Sequence, residues 1–206
     1  MKDLVCLVPD RNVEYGLRGL LERNISLGIR EITYDIYVHP KRDPGILNGA
    51  SDFLQEFSSI YSCGIVFIDY EGCGRENEKN PEDISIEIKN SLSQKWGHRI
   101  EVIVFRPKLE IWLWVDSPHT ANELGWDNYP NLKDFLIQRG LWISGKLKPD
   151  RPKEAVEAAL WKRKIPRSSS IYYNIAKKVS LERCTDASFH NFKSLLKRWF
   201  SKGRRS

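Results

Sequence analysis

A chain of 206 residues, 41% hydrophobic and 29% charged, is long enough to bury a real core, suits one domain or one domain with an appendage, and excludes a disordered polymer. Residues 1 to 144 hold 16 Lys+Arg against 22 Asp+Glu, net −6, and residues 145 to 206 hold 17 against 5, net +12; asymmetry of this size is a footprint of polyanion contact. The longest apolar stretches, near residues 64 to 70 and 109 to 115, are too short to span a membrane, and no apolar signal segment follows Met1-Lys2, so a cytoplasmic protein with no membrane partner is expected.

Along the chain, residues 3 to 9 form an apolar strand. A helix over Val13 to Arg23 follows, with Leu17, Leu20 and Leu21 on one face and Asn12 as its N-cap. Residues 31 to 39 alternate Ile32, Tyr34, Ile36 and Val38 against polar neighbours, as in a strand with one wetter face near a sheet edge. His39 to Gly45 reads as a loop and Ile46 to Ser59 as a helix. GIVFID is apolar throughout, which fits a central strand covered on both sides. Pro81 to Trp96 is helical with proline in its first turn, and RIEVIVF is the next strand. Strand and helix in alternation predict a doubly wound α/β layer with a mainly parallel sheet of about four strands and flanking helices.

Beyond Phe105 the pattern turns helical: Asn122 to Trp126, Asn131 to Arg139, Pro152 to Lys162, Ile171 to Lys178 and Ala187 to Phe200. An α/β domain over residues 1–140 and a basic α-helical C-terminal lobe over 141–206, packed on it, are expected, with Gly140 to Arg151 as the hinge and Ser201 to Ser206 frayed. Cys6, Cys63, Cys73 and Cys184 stand far apart without the spacing of a zinc site and read as reduced, mostly buried thiols.

Four carboxylates, Asp10, Asp69, Glu71 and Glu110, fall where apolar runs end or within a turn of that point. In a parallel sheet those positions share one edge, and a cluster of acids is hard to keep ionised without a cation. Asp69 and Glu71, at i and i+2 past a buried strand and before Gly72, point to one side and suit a magnesium-type ion; acids before glycine also end many strands as ordinary turns.

An N-terminal strand with an acidic turn, a later strand ending in an acid-x-acid pair, and an acid two residues before tryptophan together resemble the Toprim-like domains of bacterial defence and mobile-element proteins. Asp69 and Glu71 match the pair, and Glu110 with Trp112 matches the later motif. Where the family carries Glu-Gly after the first strand this chain has Pro9-Asp10, so Asp10 takes that place and Glu14 is the fallback. The segments RPKEAVEAAL, PRSSSIYYNIAKKVSLERC and TDASFHNFKSLLKRWF extend the resemblance to small Toprim-like proteins of a methylation-associated phage-defence system. The resemblance implies a Toprim/Rossmann-like fold, Mg²⁺ (or Mn²⁺) held by Asp69, Glu71 and Asp10 or Glu14, and catalysis by Asp69, Glu71, Glu110 and Asp10. It also implies a Mg²⁺-dependent nuclease or nuclease-related subunit of a multi-gene antiphage system, working beside other subunits.

Such an ion would neutralise charge at a scissile phosphate and activate water. Nucleic acid, DNA or RNA, is the expected partner, with Lys108, Arg163, Lys164, Arg167, Ser168, Ser169 and Lys177 as contacts. Ser168 and Ser169 read equally as a helix cap, and His39, Arg42 and Asp43 stand at the same sheet edge, where a turn between two prolines explains them as well. The other reading is a catalytically inactive Toprim-like module that binds nucleic acid or a partner defence protein. A flavodoxin-like small-ligand domain ranks last, because no glycine-rich phosphate loop follows the first strand.

Overall fold

The computed structural model describes residues 1–202. Four strands, β1 (Lys2–Val8), β2 (Tyr34–Val38), β3 (Tyr61–Asp69) and β4 (Ile100–Phe105), form one parallel sheet in the order β2-β1-β3-β4. The helices are α1 (Arg11–Leu21), α2 (Asn24–Leu27), α3 (Arg42–Leu54), α4 (Pro81–Trp96), α5 (Pro118–Glu123), α6 (Tyr129–Gln138), α7 (Pro152–Lys162), α8 (Ser169–Lys178) and α9 (Ala187–Phe200). The chain steps from β1 outward to β2 and then back across to β3, so the connections after β1 and β3 diverge and leave a crevice at the carboxyl ends of the strands.

Alternation along each strand decides which layer covers which face. Leu4, Cys6 and Val8 of β1 join Ile65, Phe67, Ile103 and Phe105 in a core shared with α1 and the C-terminal helices, whereas Val5, Leu7, Val66 and Ile68 pack under α3 and α4. The first core runs unbroken across residue 140: Trp112 packs edge-on against Phe105 and Phe189 and at a tilt on Phe192, and Trp142 packs edge-on against Trp114. Trp142 and Lys148 anchor the connecting segment 140–151, the lysine through a 2.6 Å bond to the Ile111 carbonyl. The outer strand β4 carries Glu101, which bonds Lys89 at 2.7 Å and Arg198 at 3.4 Å.

Several boundaries differ from the sequence expectation. The cap of the first helix is Asp10, not Asn12, and the helix begins two residues earlier than expected, because the Asp10 carboxylate reaches the amides of Asn12 (2.8 Å) and Val13 (3.0 Å). The helix expected from Ile46 starts at Arg42, since Pro44 sits in a first turn where its missing N–H has no partner to lose, and its end tightens into a 3₁₀ turn over Glu56–Ser59. The helix expected over Asn122 to Trp126 is α5, beginning at Pro118 and ending before the left-handed Gly125. Ser201, expected to fray, bridges Ile29, while the Phe200 carbonyl accepts the Arg30 amide at 3.0 Å. Residues 203–206 of the expected frayed tail lie outside the described residues.

Close packing of α1 on α8 sets a sharp steric condition. A Cβ on Gly19 would stand 2.6 Å from the Tyr173 carbonyl oxygen and 3.0 Å from the Ala176 Cβ, while one on Gly16 would meet nothing nearer than Leu109 at 4.0 Å. Gly19→Ala is therefore expected to destabilise by about 1–3 kcal/mol through overpacking. Gly16→Ala, which gains helix propensity in open space, is expected to be neutral or stabilising by up to about 1 kcal/mol. Denaturant midpoints of the two variants check the contrast.

Candidate functional site

Acidic side chains gather at the carboxyl edge of the sheet, but not in the combination expected. Asp69 ends β3 and is buried; its Oδ1 accepts the Leu109 amide at 2.9 Å, and its Oδ2 lies 3.9 Å from Lys108 Nζ. Asp43, in the first turn of α3, accepts the Asp69 amide at 2.7 Å, so the two carboxylates are neighbours across the β2 and β3 ends. Burial pushes the Asp69 carboxyl well above the usual range, and the charges of Asp43 and Glu110 push it further, against the pull of Lys108. Asp43 is raised as well, by burial first and by Asp10 among its neighbours.

Glu110 occupies a 3₁₀ turn over Leu109–Trp112, inside the protein. Its Oε1 accepts the Tyr172 hydroxyl at 2.8 Å and stands 3.8 Å from Arg167. Burial raises its carboxyl, and Tyr172 and Arg167 draw it back toward ionisation. Arg167 also pairs with Glu157.

Glu71 is exposed, outside this cluster. Its amide bonds the Pro107 carbonyl at 3.1 Å and its own carbonyl accepts Lys108, so the chain turns at Gly72 with Asp69 inside and Glu71 in solvent. The expected same-sided pair is thus divided between interior and surface. Glu14 is bound to Arg18 one turn along α1 at 2.9 Å.

The acids have the hard oxygen chemistry of a magnesium site, yet each has an oxygen already engaged: Asp10 by the α1 amides, Asp43 and Asp69 by backbone amides, Glu110 by Tyr172. Among the described residues, no three His, Cys, Asp or Glu side chains converge as a ligand set for one ion. As they stand, the residues do not make a ready cage for Mg²⁺ or Mn²⁺.

Beside the acids a cleft opens at the ends of β1 and β2, lined by Asp10, Arg11, His39, Arg42, Lys153 and Arg167 with neighbouring Pro9, Asn12, Val38 and Pro40. Arg11, Arg42 and Lys153 have no carboxylate within ion-pair distance among the described residues. His39 is buried at the rim, its Nδ1 accepting the Lys41 amide at 3.1 Å, and burial together with Lys41 lowers its pKa. Arg42 holds a left-handed backbone, φ 52°, where a non-glycine residue is strained.

Of the residues expected to contact nucleic acid, Arg167 alone lines this cleft. Ser168 caps α8 and Ser169 bonds Asn12 at 2.8 Å. Arg163 rides over Trp126 and bonds the Gly125 carbonyl, and Lys177 pairs with Glu22 at 3.1 Å. Arg11 and Lys153 were missed by sequence reasoning. Arg11 directly follows the first strand's acidic turn, a position that could have flagged it, whereas Lys153 reaches the sheet edge only through the packing of α7. No protein-family model, curated protein or solved structure matches this chain.

Proposed function

We propose that this chain is a Toprim-like α/β module that binds nucleic acid through phosphates held in the cleft at the carboxyl edge of its sheet. The observation that carries the reading is the set of three cations, Arg11, Arg42 and Lys153, facing one cleft without a carboxylate partner among the described residues, with Arg167 beside them. Cations left unneutralised at one place favour a polyanion, and phosphate is the anion a nucleic acid repeats along its length. The strongly basic segment from residue 145 onward supplies Lys153 and Arg167, and so ties the charge asymmetry of the sequence to a place in the fold. The resemblance to Toprim-like proteins of phage defence agrees with such a module acting beside partner subunits.

A metal-assisted phosphodiesterase is the second reading. It is favoured by the crowding of Asp69, Asp43 and Glu110, where Asp43 accepts the Asp69 amide at 2.7 Å and Lys108 offsets the repulsion only in part, so that a divalent cation would relieve it.

Fluorescence anisotropy with labelled DNA and RNA strands over a salt series tests the first reading. Arg11→Gln, Arg42→Gln and Lys153→Gln together are expected to weaken binding and to reduce the log–log salt slope by roughly 0.7 for each single-strand phosphate that is no longer neutralised. An unchanged affinity and slope would sink the proposal. Cleavage of the same strands in Mg²⁺ or Mn²⁺, abolished in Asp69→Asn while binding persists, would put the phosphodiesterase first.

A further inference from the structure

Trp161, in the last turn of α7, is 71% exposed, while Trp96, Trp112, Trp114 and Trp142 are each at most 5% exposed. An exposed indole offers a large, rigid surface with a π-face to a partner. Its surroundings say what kind of partner suits it. The Arg139 guanidinium stands 5.7 Å from the ring centre and also 5.7 Å from the Phe135 ring, which braces the indole from one side. Trp161, Lys162, Lys164, Ile165 and Pro166 line one shallow groove, and neither lysine has a carboxylate within ion-pair distance among the described residues.

Lys164 closes α7 in a left-handed C-terminal turn, its amide bonding the Trp161 carbonyl at 3.1 Å and the Ile165 amide bonding the Leu160 carbonyl at 3.0 Å. Its φ is 55°, and it and Arg42 are the two non-glycine residues with positive φ among the described residues. Glycine would adopt either turn without strain. One of the two cations lines the sheet-edge cleft and the other the Trp161 groove. Between them runs the short segment Lys164-Ile165-Pro166-Arg167, at most about 10 Å of chain, so groove and cleft are neighbours.

We infer that Trp161 is a stacking platform for an unpaired base of a single-stranded nucleic acid, whose flanking phosphates lie on Lys162 and Lys164 and whose backbone continues past Arg167 into the cleft. This deepens the nucleic-acid reading and rests on it. Any base presents a π-face to the indole, so the platform selects single strands over duplexes without selecting sequence.

The test uses the full chain and three 12-residue probes: oligothymidylate, the same strand with abasic sites throughout, and a duplex of the same length. Trp161→Ala is expected to weaken oligothymidylate binding about tenfold, within the range for loss of one stacked base, with Trp161→Phe in between. The abasic strand and the duplex are expected to bind the wild type more weakly than oligothymidylate and to be indifferent to Trp161→Ala. Lys164→Gly is expected to lower the salt slope by roughly 0.7 without lowering the thermal midpoint. Equal binding of oligothymidylate by wild type and Trp161→Ala, or equal binding of abasic and natural strands by the wild type, would overturn the platform; either result fits a protein partner on this face instead. Failure of the cleft reading is separable: the Arg11, Arg42 and Lys153 variant would then bind like wild type while Trp161→Ala still bound more weakly.

Discussion

Tyr172→Phe is expected to destabilise the protein by about 3 kcal/mol, the order found when a buried charge loses its hydrogen-bonding partner. For a chain of this size that is a fall in thermal midpoint of roughly 6–12 °C. Tyr172 is fully buried and its hydroxyl bonds Glu110 Oε1 at 2.8 Å; Arg167, at 3.8 Å, is too far to replace it. The sign of the pH dependence follows from the direction of the Glu110 shift. Its folded pKa is raised by burial, so protonation favours the folded state, and that contribution is full below the ordinary glutamate range and fades as pH rises through the folded value. Removing the hydroxyl raises the folded value further. The destabilisation is therefore expected to be largest at neutral pH and to shrink toward pH ~3, where the carboxyl is protonated in both states. Glu110→Gln combined with Tyr172→Phe is expected to recover part of the stability, and thermal melts of the four proteins at two pH values complete the cycle. An equal effect at both pH values would show that shape, not charge, is what Tyr172 supplies.

Asp69→Asn is expected to do the opposite at neutral pH and raise the thermal midpoint by several degrees, at about 2–4 °C for each 1 kcal/mol. Asp69 is raised by burial and by Asp43 and Glu110, so its contribution to stability is present below the usual aspartate range and lost as pH rises through the folded value. An amide keeps an oxygen for the Leu109 amide, now at 2.9 Å, and carries no charge to desolvate. The variant is thus expected to gain most near pH 7 and little near pH 4. Added Mg²⁺ separates the two functional readings in the same melts. Millimolar Mg²⁺ that raises the wild-type midpoint but leaves Asp69→Asn unmoved marks a cation at the acids. An Asp69→Asn protein less stable than wild type at pH 7 would refute the electrostatic account.

Much of the sheet is legible in the sequence because its signals are local. GIVFID can be buried on both faces only in a central strand, and β3 lies between β1 and β4. The stripe of Phe189, Phe192, Leu196 and Phe200 defines α9, and Pro152 to Lys162 defines α7, at the bounds the structure shows. The site is less legible because long-range packing assembles it. Asp43 reads as a loop acid beside two prolines and meets Asp69 only because α3 begins early. Glu110 is found by its position near a strand end, yet its partner Tyr172 lies 62 residues on, and no local spacing reveals the hydroxyl bond between them. Glu71 shows the limit of i and i+2 spacing: the rule holds inside a strand, and β3 ends at Asp69.

The charges on the outer strand have a further consequence, for solubility. An edge of a parallel sheet offers unpaired backbone groups to any extended chain, and between α4 and α9 the β4 edge borders a groove lined by Val102, Ile103 and Val104. Glu101, held between Lys89 and Arg198, sets a hydrated knot of charge on that edge, which a joining strand would have to dehydrate before it could pair. The same knot that fastens α9 to the sheet thereby raises the cost of adding a strand from a second molecule.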